Sequence, residues 1–205
     1  MNAKLVQVQL LVIVLAGSAT AANLPTARQA VEIANKRLAP HNQNQVLQVV
    51  GRHSDSDLRI RDWSITFYDD TRVNNAVTVR VEDGQDAGAE APLRMFQDGR
   101  WDHFDRNFTG FARGEIINLQ RWKLDSDDVL KKVLKDPKLE GVQVTEVRMA
   151  LRKLSDGDVP PVWRIWLRAR SRTRPSRESW IGHVDVSAES GEVLANELHV
   201  AKLTR

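Results

Sequence analysis

The sequence predicts an α+β fold made of two tandem units, each a helix packed on a small antiparallel sheet. Three observations carry this reading. Apolar and polar residues alternate strictly in short runs, above all in Trp63-Ser-Ile-Thr-Phe67 and in Val162-Trp-Arg-Ile-Trp-Leu-Arg-Ala169, which is the period of a half-buried strand. Two other stretches repeat apolar residues at helical spacing directly behind an N-capping residue. Finally, the order helix, strand, strand, strand occurs twice, and Trp63, Ile65 and Phe67 are matched by Trp163, Ile165 and Leu167 100 residues later. Thr26 precedes Trp63 by 37 residues and Ser126 precedes Trp163 by 37 residues, so helix and central strand keep the same spacing in both halves. The reading divides the chain into a leader (1–22), a first unit (23–96), an aromatic connector (97–123) and a second unit (124–205).

The leader comes first. Lys4 supplies a positive start, Leu5 to Leu15 is mostly apolar, and Ala19-Thr20-Ala21 has the small-x-small form of a cleavage site. The apolar run is too short to span a bilayer. These features predict a cleavable signal peptide and a protein that acts in a periplasm or outside the cell, with no transmembrane segment in the mature chain.

Behind the leader, Ala27, Ala30, Val31, Ala34 and Leu38 form the apolar stripe of a first helix, capped by Thr26 and stopped by Pro40. Strands follow at Gln45 to His53, at Trp63 to Phe67 and around Val77, Val79 and Val81. Gln85 to Pro92 reads as a small-residue loop. The connector carries Trp101, Phe104, Phe108 and Phe111 at neither helical nor strand spacing. A second helix starts at Asp125 or Ser126, with Asp127 and Asp128 in its first turn, where the helix dipole favours negative charge. Val142 to Leu154 is a long strand whose phase flips near Thr145-Glu146, the mark of a bulge. Asp156-Gly157 signals a hairpin turn, and the strand from Val162 to Ala169 follows it.

The second half resembles the PepSY family. The resemblance rests on the capped helix Asp125-Ser-Asp-Asp-Val-Leu130, the tryptophan-bearing strand from Val162 to Leu167, and the final stretch Val184-Asp-Val-Ser-Ala-Glu-Ser-Gly-Glu-Val-Leu194. That last stretch is similar to the family's V-D-A-x-T-G-x-V pattern, with Ser187 in place of the small residue, Ser190-Gly191 in place of Thr-Gly, and one extra residue. The first half matches more weakly, through Trp63 to Phe67 and Val77 to Gly84. The resemblance implies two cystatin-like units and an extracytoplasmic non-enzyme, a binding module that regulates or inhibits a peptidase or holds a protein or peptide partner. The family brings no catalytic residue and no cofactor to carry over.

The residues themselves agree with a non-catalytic reading. Cysteine is absent, so disulfides, thiolate nucleophiles and cysteine metal sites are excluded. The five histidines form no H-E-x-x-H pattern, there is no G-x-S-x-G nucleophile elbow, and no glycine-rich phosphate loop occurs. Asp102-His103-x-Asp105 is too sparse a set to predict a metal site. A net charge of +3 among 28% charged residues gives no reason to expect a nucleic-acid partner.

One surface stands out. Arg164, Trp166, Arg168, Arg170, Arg172 and Arg174 share one parity, and Arg177 continues the cluster beyond Pro175. The strand period puts them on one face. Two readings stay open for it. It is either a solvated outer face or a ridge for an anionic surface, since guanidinium forks suit carboxylate and phosphate. A different function also stays open: a carrier that encloses an apolar molecule or lipid in a pocket between helix and sheet, lined by Trp63, Phe67 and Trp163.

Overall fold

A computed structural model gives the structure of the protein and describes residues 24–90, 94–95, 101–102, 110–155 and 157–204. The predicted leader, the connector residues His103, Phe104, Asp105 and Phe108, and Asp156 of the predicted turn lie outside the described residues. At the centre of the molecule two strands from opposite ends of the chain run antiparallel: β1 (Val46–Ser54) and β7 (Val142–Arg152). To one side of β1 lie β2 (Ile60–Tyr68), β3 (Ala76–Glu82) and β4 (Gln85–Glu90); to the far side of β7 lie β8 (Val162–Ser171), β9 (Glu178–Ser187) and β10 (Val193–Asn196). The result is one eight-stranded antiparallel sheet in the order β10-β9-β8-β7-β1-β2-β3-β4. Arg94–Met95 (β5) and Trp101–Asp102 (β6) pair as a separate two-stranded ribbon. One face of the large sheet carries α1 (Ala27–Asn35) and α2 (Ser126–Val133), and α3 (Ala201–Thr204) is a single turn near the end of the chain.

This corrects the predicted architecture. The chain does not form two tandem units, each a helix on its own small sheet. It forms one large sheet with two short helices. The physical reason lies in β1 and β7. Two separate four-stranded sheets would leave both as open edges, with unpaired backbone groups along hydrophobic strands. In β1, six successive residues, Val46 to Gly51, are buried, so both faces of the strand are covered. That is the pattern of a central strand rather than an edge.

The β1·β7 register has an internal two-fold character. Val49 lies opposite Leu151 and Gly51 opposite Met149, while Val50 faces Ala150. Shifting by 100 residues exchanges the first two pairs and leaves the third on the axis. The order of elements repeats, then, while the hydrogen bonding runs unbroken through both halves.

The inner face holds the core. Trp63, Ile65 and Phe67 of β2, Val147, Met149 and Leu151 of β7, and Trp163, Ile165 and Leu167 of β8 are all buried there. The period-2 stripes predicted for these strands are thus the inner face. The bulge expected near Thr145 is present, as a register shift between Val144 and Glu146. Three local readings change. α1 ends at Asn35, short of Leu38. Gln85–Glu90 is a strand, not a loop. β7 ends at Arg152, short of Leu154, and pairs antiparallel with β8, as expected of a hairpin.

Helices of nine and eight residues do not stand alone in water. Here they brace each other at their N-termini. The Ala27 N–H donates to Ser126 Oγ at 3.1 Å and the Arg28 N–H to Asp125 Oδ1 at 3.3 Å. The N-terminal donors of α1 therefore find acceptors in the cap of α2, and the Asp125 carboxylate sits where two positive dipole ends meet. Each helix entry is also pinned by a core tryptophan. Trp63 Nε1–H donates to the Pro25 carbonyl at 3.0 Å, and Trp163 Nε1–H donates to the Leu124 carbonyl at 3.0 Å.

Candidate binding face

The outer face of the sheet differs between its two halves. Along β8, Arg164, Trp166, Arg168 and Arg170 alternate with the buried Ile165, Leu167 and Ala169, so these four share the outer face as the strand period requires. Arg172, Arg174 and Arg177 do not extend the row as strand residues. They lie in the exposed β8–β9 turn, where the Arg177 N–H donates to the Arg174 carbonyl at 2.9 Å and Arg172 Nε–H donates to the Val142 carbonyl at 3.1 Å.

The arginines of the strand meet acceptors from its neighbours. Arg164 forms a two-pronged pair with Asp185 of β9, at 2.7 and 2.6 Å. Asp185 raises the Arg164 pKa above its ordinary value, against the opposing effect of burial. Arg168 lies 3.3 Å from Glu146 of β7 and 3.3 Å from Glu178 of β9. Arg170 donates twice to the Gln143 amide oxygen, at 3.0 and 2.9 Å. The face is a lattice of cross-strand pairs and not a bare cationic ridge.

Set into this lattice are aromatic rings. Trp166 lies between Arg148 of β7 and His183 of β9 in the register, and its ring centroid is 6.2 Å from that of His183. The Arg164 guanidinium sits 6.0 Å from the Trp166 centroid and the Arg148 guanidinium 4.6 Å from the Trp180 centroid. Trp180 is 38% exposed. Burial lowers the pKa of His183, as does the charge of Arg164, while Asp185 and Glu197 oppose the shift. Its imidazole therefore takes up a proton less readily than a free one.

The sequence reading missed Arg148, Trp180 and His183 as members of this face. A signal for Arg148 was present: once Val147, Met149 and Leu151 are assigned to the core, Glu146, Arg148, Ala150 and Arg152 fall on the other side of β7. Trp180 carried none, because a second bulge, between Leu167 and Arg168 in the β8·β9 register, decides its face.

Across the axis, the β1–β3 half of the same face is closed. Asp62 is 3% exposed and takes both prongs of Arg80 at 3.0 Å, with His53 Nδ1 at 3.2 Å. The Thr66 and Thr78 hydroxyls lie 2.9 Å apart, both residues buried. Phe111 covers Leu47 and Ala76. The three aromatics expected to line a carrier pocket, Trp63, Phe67 and Trp163, are each no more than 1% exposed and belong to the main core.

An exposed indole stacked on a guanidinium, with a second tryptophan one strand away, offers apolar area beside a cationic donor. Among the described residues no helix is long and apolar enough to cross a membrane. Comparisons of the chain with family models, curated proteins and solved structures find no match.

Proposed function

We propose that this chain is an exported, non-catalytic binding module of PepSY-like character that holds a protein partner in the cell envelope. The partner docks on the outer face of β7, β8 and β9. The observation that carries the reading is the Arg148–Trp180 stack, 4.6 Å apart, on the half of the sheet over which, among the described residues, no aromatic lies as Phe111 lies over the other. Tryptophan and arginine are the residues most enriched at the energetic centres of protein interfaces. The internal ion pairs neutralise most of the face, so the rings supply affinity and Arg148 and Arg170 supply orientation. A peptidase that this module regulates is one such partner.

A photo-crosslinking residue placed at position 180 tests the proposal in intact envelopes. It should give a discrete protein adduct that is lost in an Arg148→Ala background. The same crosslinker at Asp57, a residue 75% exposed on the β1–β2 turn, should give none. Equal adducts at both positions, or an adduct indifferent to Arg148, would remove the reading.

A further inference from the structure

We infer that the first half of the molecule carries a small-ligand site for a medium-chain aliphatic carboxylate, in the groove that α1 leaves open on the inner face of β3 and β4. The cavity has a volume of about 420 Å³, within the roughly 300–1,000 Å³ that small-molecule sites occupy. Its floor is apolar, formed by Leu38, Val77, Val79 and Ala89. Its rim carries Arg37, His41 and Arg72.

The other half of the sheet shows what belongs in such a place. There the chain's own tail lies beside α2 and the turn Pro137–Leu139 and covers part of the face, leaving a depression along Lys138, Leu198, His199, Val200 and Ala201. Leu198 and Leu203 are buried in the main core, and α3 packs against β8 and β9. Gly182 permits this crossing, because its backbone has φ +116° and a Cβ there would stand 2.0 Å from the Glu197 carbonyl oxygen. Ile181, beneath the tail, is 2% exposed. The matched positions of the two halves are Val77, paired with Phe67 on β2, and Gly182, paired with Leu167 on β8. Val77 is only half-buried. Beside these matched positions two leucines of the tail are buried in the second half, while the first half keeps a groove. Apolar surface of this kind gains free energy when an aliphatic group covers it.

The rim selects the polar end of that group. Asp69, the acid lining the groove, is 5% exposed and occupied, since Thr71 donates to it through its N–H at 3.0 Å and its hydroxyl at 2.6 Å. Arg72 keeps only a 3.7 Å contact with Asp69, and its side chain is 67% exposed. Arg37 holds Asp86 at 2.9 Å from a less open position, 46% exposed. Two exposed guanidinium groups therefore stand at the mouth of a groove with an apolar floor, where either can exchange its aspartate for a ligand carboxylate, whose two oxygens match the guanidinium fork.

Decanoate, 1-decanol and acetate, titrated calorimetrically into the protein, test this. Decanoate should bind saturably at one site, decanol more weakly, and acetate not at all. Ala89→Trp, a change at an exposed position of an edge strand, should abolish the decanoate signal. Arg72→Gln should weaken decanoate about tenfold, as for one lost charge-assisted hydrogen bond, and leave decanol unchanged. Methyl resonances of Val77 and Leu38 in the unmodified protein should shift with decanoate, which gives a readout independent of any variant. Absence of saturable binding, binding untouched by Ala89→Trp, or methyl shifts confined to other parts of the molecule would overturn the assignment.

Discussion

The two halves of the outer face share one backbone frame and have opposite fates. Thr66 pairs with Thr78 in the first half where Trp166 pairs with His183 in the second, and Ser64 pairs with Arg80 where Arg164 pairs with Asp185. Small hydroxyls allow close approach, so the first half seals itself with short hydrogen bonds and the covering Phe111. Long aromatic and cationic side chains keep the second half open. On the inner face the tail lies over part of the second half, while the first half keeps a groove beside the end of α1. The sheet therefore sets where side chains stand, and a handful of substitutions at matched positions sets which surfaces are left for partners.

The sharpest way to probe that frame is at the twin tryptophans. Truncation of either Trp63→Ala or Trp163→Ala removes a fully buried ring and should cost about 3–5 kcal/mol in urea unfolding. Phenylalanine separates the twins. In the second half Trp122 Nε1–H also donates to the Leu124 carbonyl, at 2.9 Å, and packs edge-on to Trp163 with centroids 6.0 Å apart. Trp163→Phe therefore leaves that carbonyl with a donor and should cost about 1 kcal/mol. Trp63→Phe strands the Pro25 carbonyl and should cost about 2–3 kcal/mol. Equal costs would show that the indole hydrogen bonds do not fix the helix entries.

The ion pairs of the two halves should differ by less. Asp185→Ala leaves Arg164, whose side chain is only 13% exposed, without its carboxylate, and should cost about 2–4 kcal/mol. Asp62→Ala takes the carboxylate from Arg80, 35% exposed, which keeps Glu82 at 3.3 Å, and from Arg52, 23% exposed, which keeps the Ser64 hydroxyl at 2.6 Å. Water reaches both more easily, so the expected loss is about 1–2 kcal/mol. The reverse order in thermal or urea unfolding would mean that the closed half depends on its polar cluster more than on its hydroxyl pairs and Phe111.

Local patterns carried a large part of this structure. Thr26 and Asp125 cap the helices, the inner stripes of β2, β7 and β8 form the core, and Gly191 supplies the positive φ of its turn, at +75°. These depend on neighbours a few residues away. The merger of two sheets into one did not show, because the β1·β7 pairing joins residues about 100 apart and no local period encodes it. Its one trace was the nearly unbroken apolar run Val46-Leu-Gln-Val-Val50, which fits a central strand. β4 was missed because Gln85-Asp-Ala-Gly-Ala-Glu90 lacks β-branched and aromatic residues. The arginine row was visible on β8, but its acidic partners Glu146, Glu178 and Asp185 stand on other strands. A reading of β8 alone therefore overstated its free charge. Trp122 was taken as part of an irregular connector, although it lies three residues before the α2 cap and serves the helix entry.

The smallest expected effect concerns protonation of the open half. Burial and the neighbouring Arg164 charge lower the His183 pKa below its ordinary value of 6.5. The folded state then binds this proton less readily than the unfolded chain does. Stability is unaffected well above pH 6.5 and falls as pH drops through that value, because the unfolded state takes up a proton that the folded state refuses. The loss ends once pH passes below the lowered folded value. The first half has a threonine at the matched position, Thr78, and carries no such dependence there. His183→Gln should flatten the decline in melting temperature between pH 7 and pH 5 relative to the unmodified protein. Arg164→Gln should flatten it in part, by removing one cause while leaving the burial and the smaller effect of His199. If the slope is the same in all three proteins, the imidazole is already free to protonate in the folded state, and its place against Trp166 does not exclude water as the geometry implies.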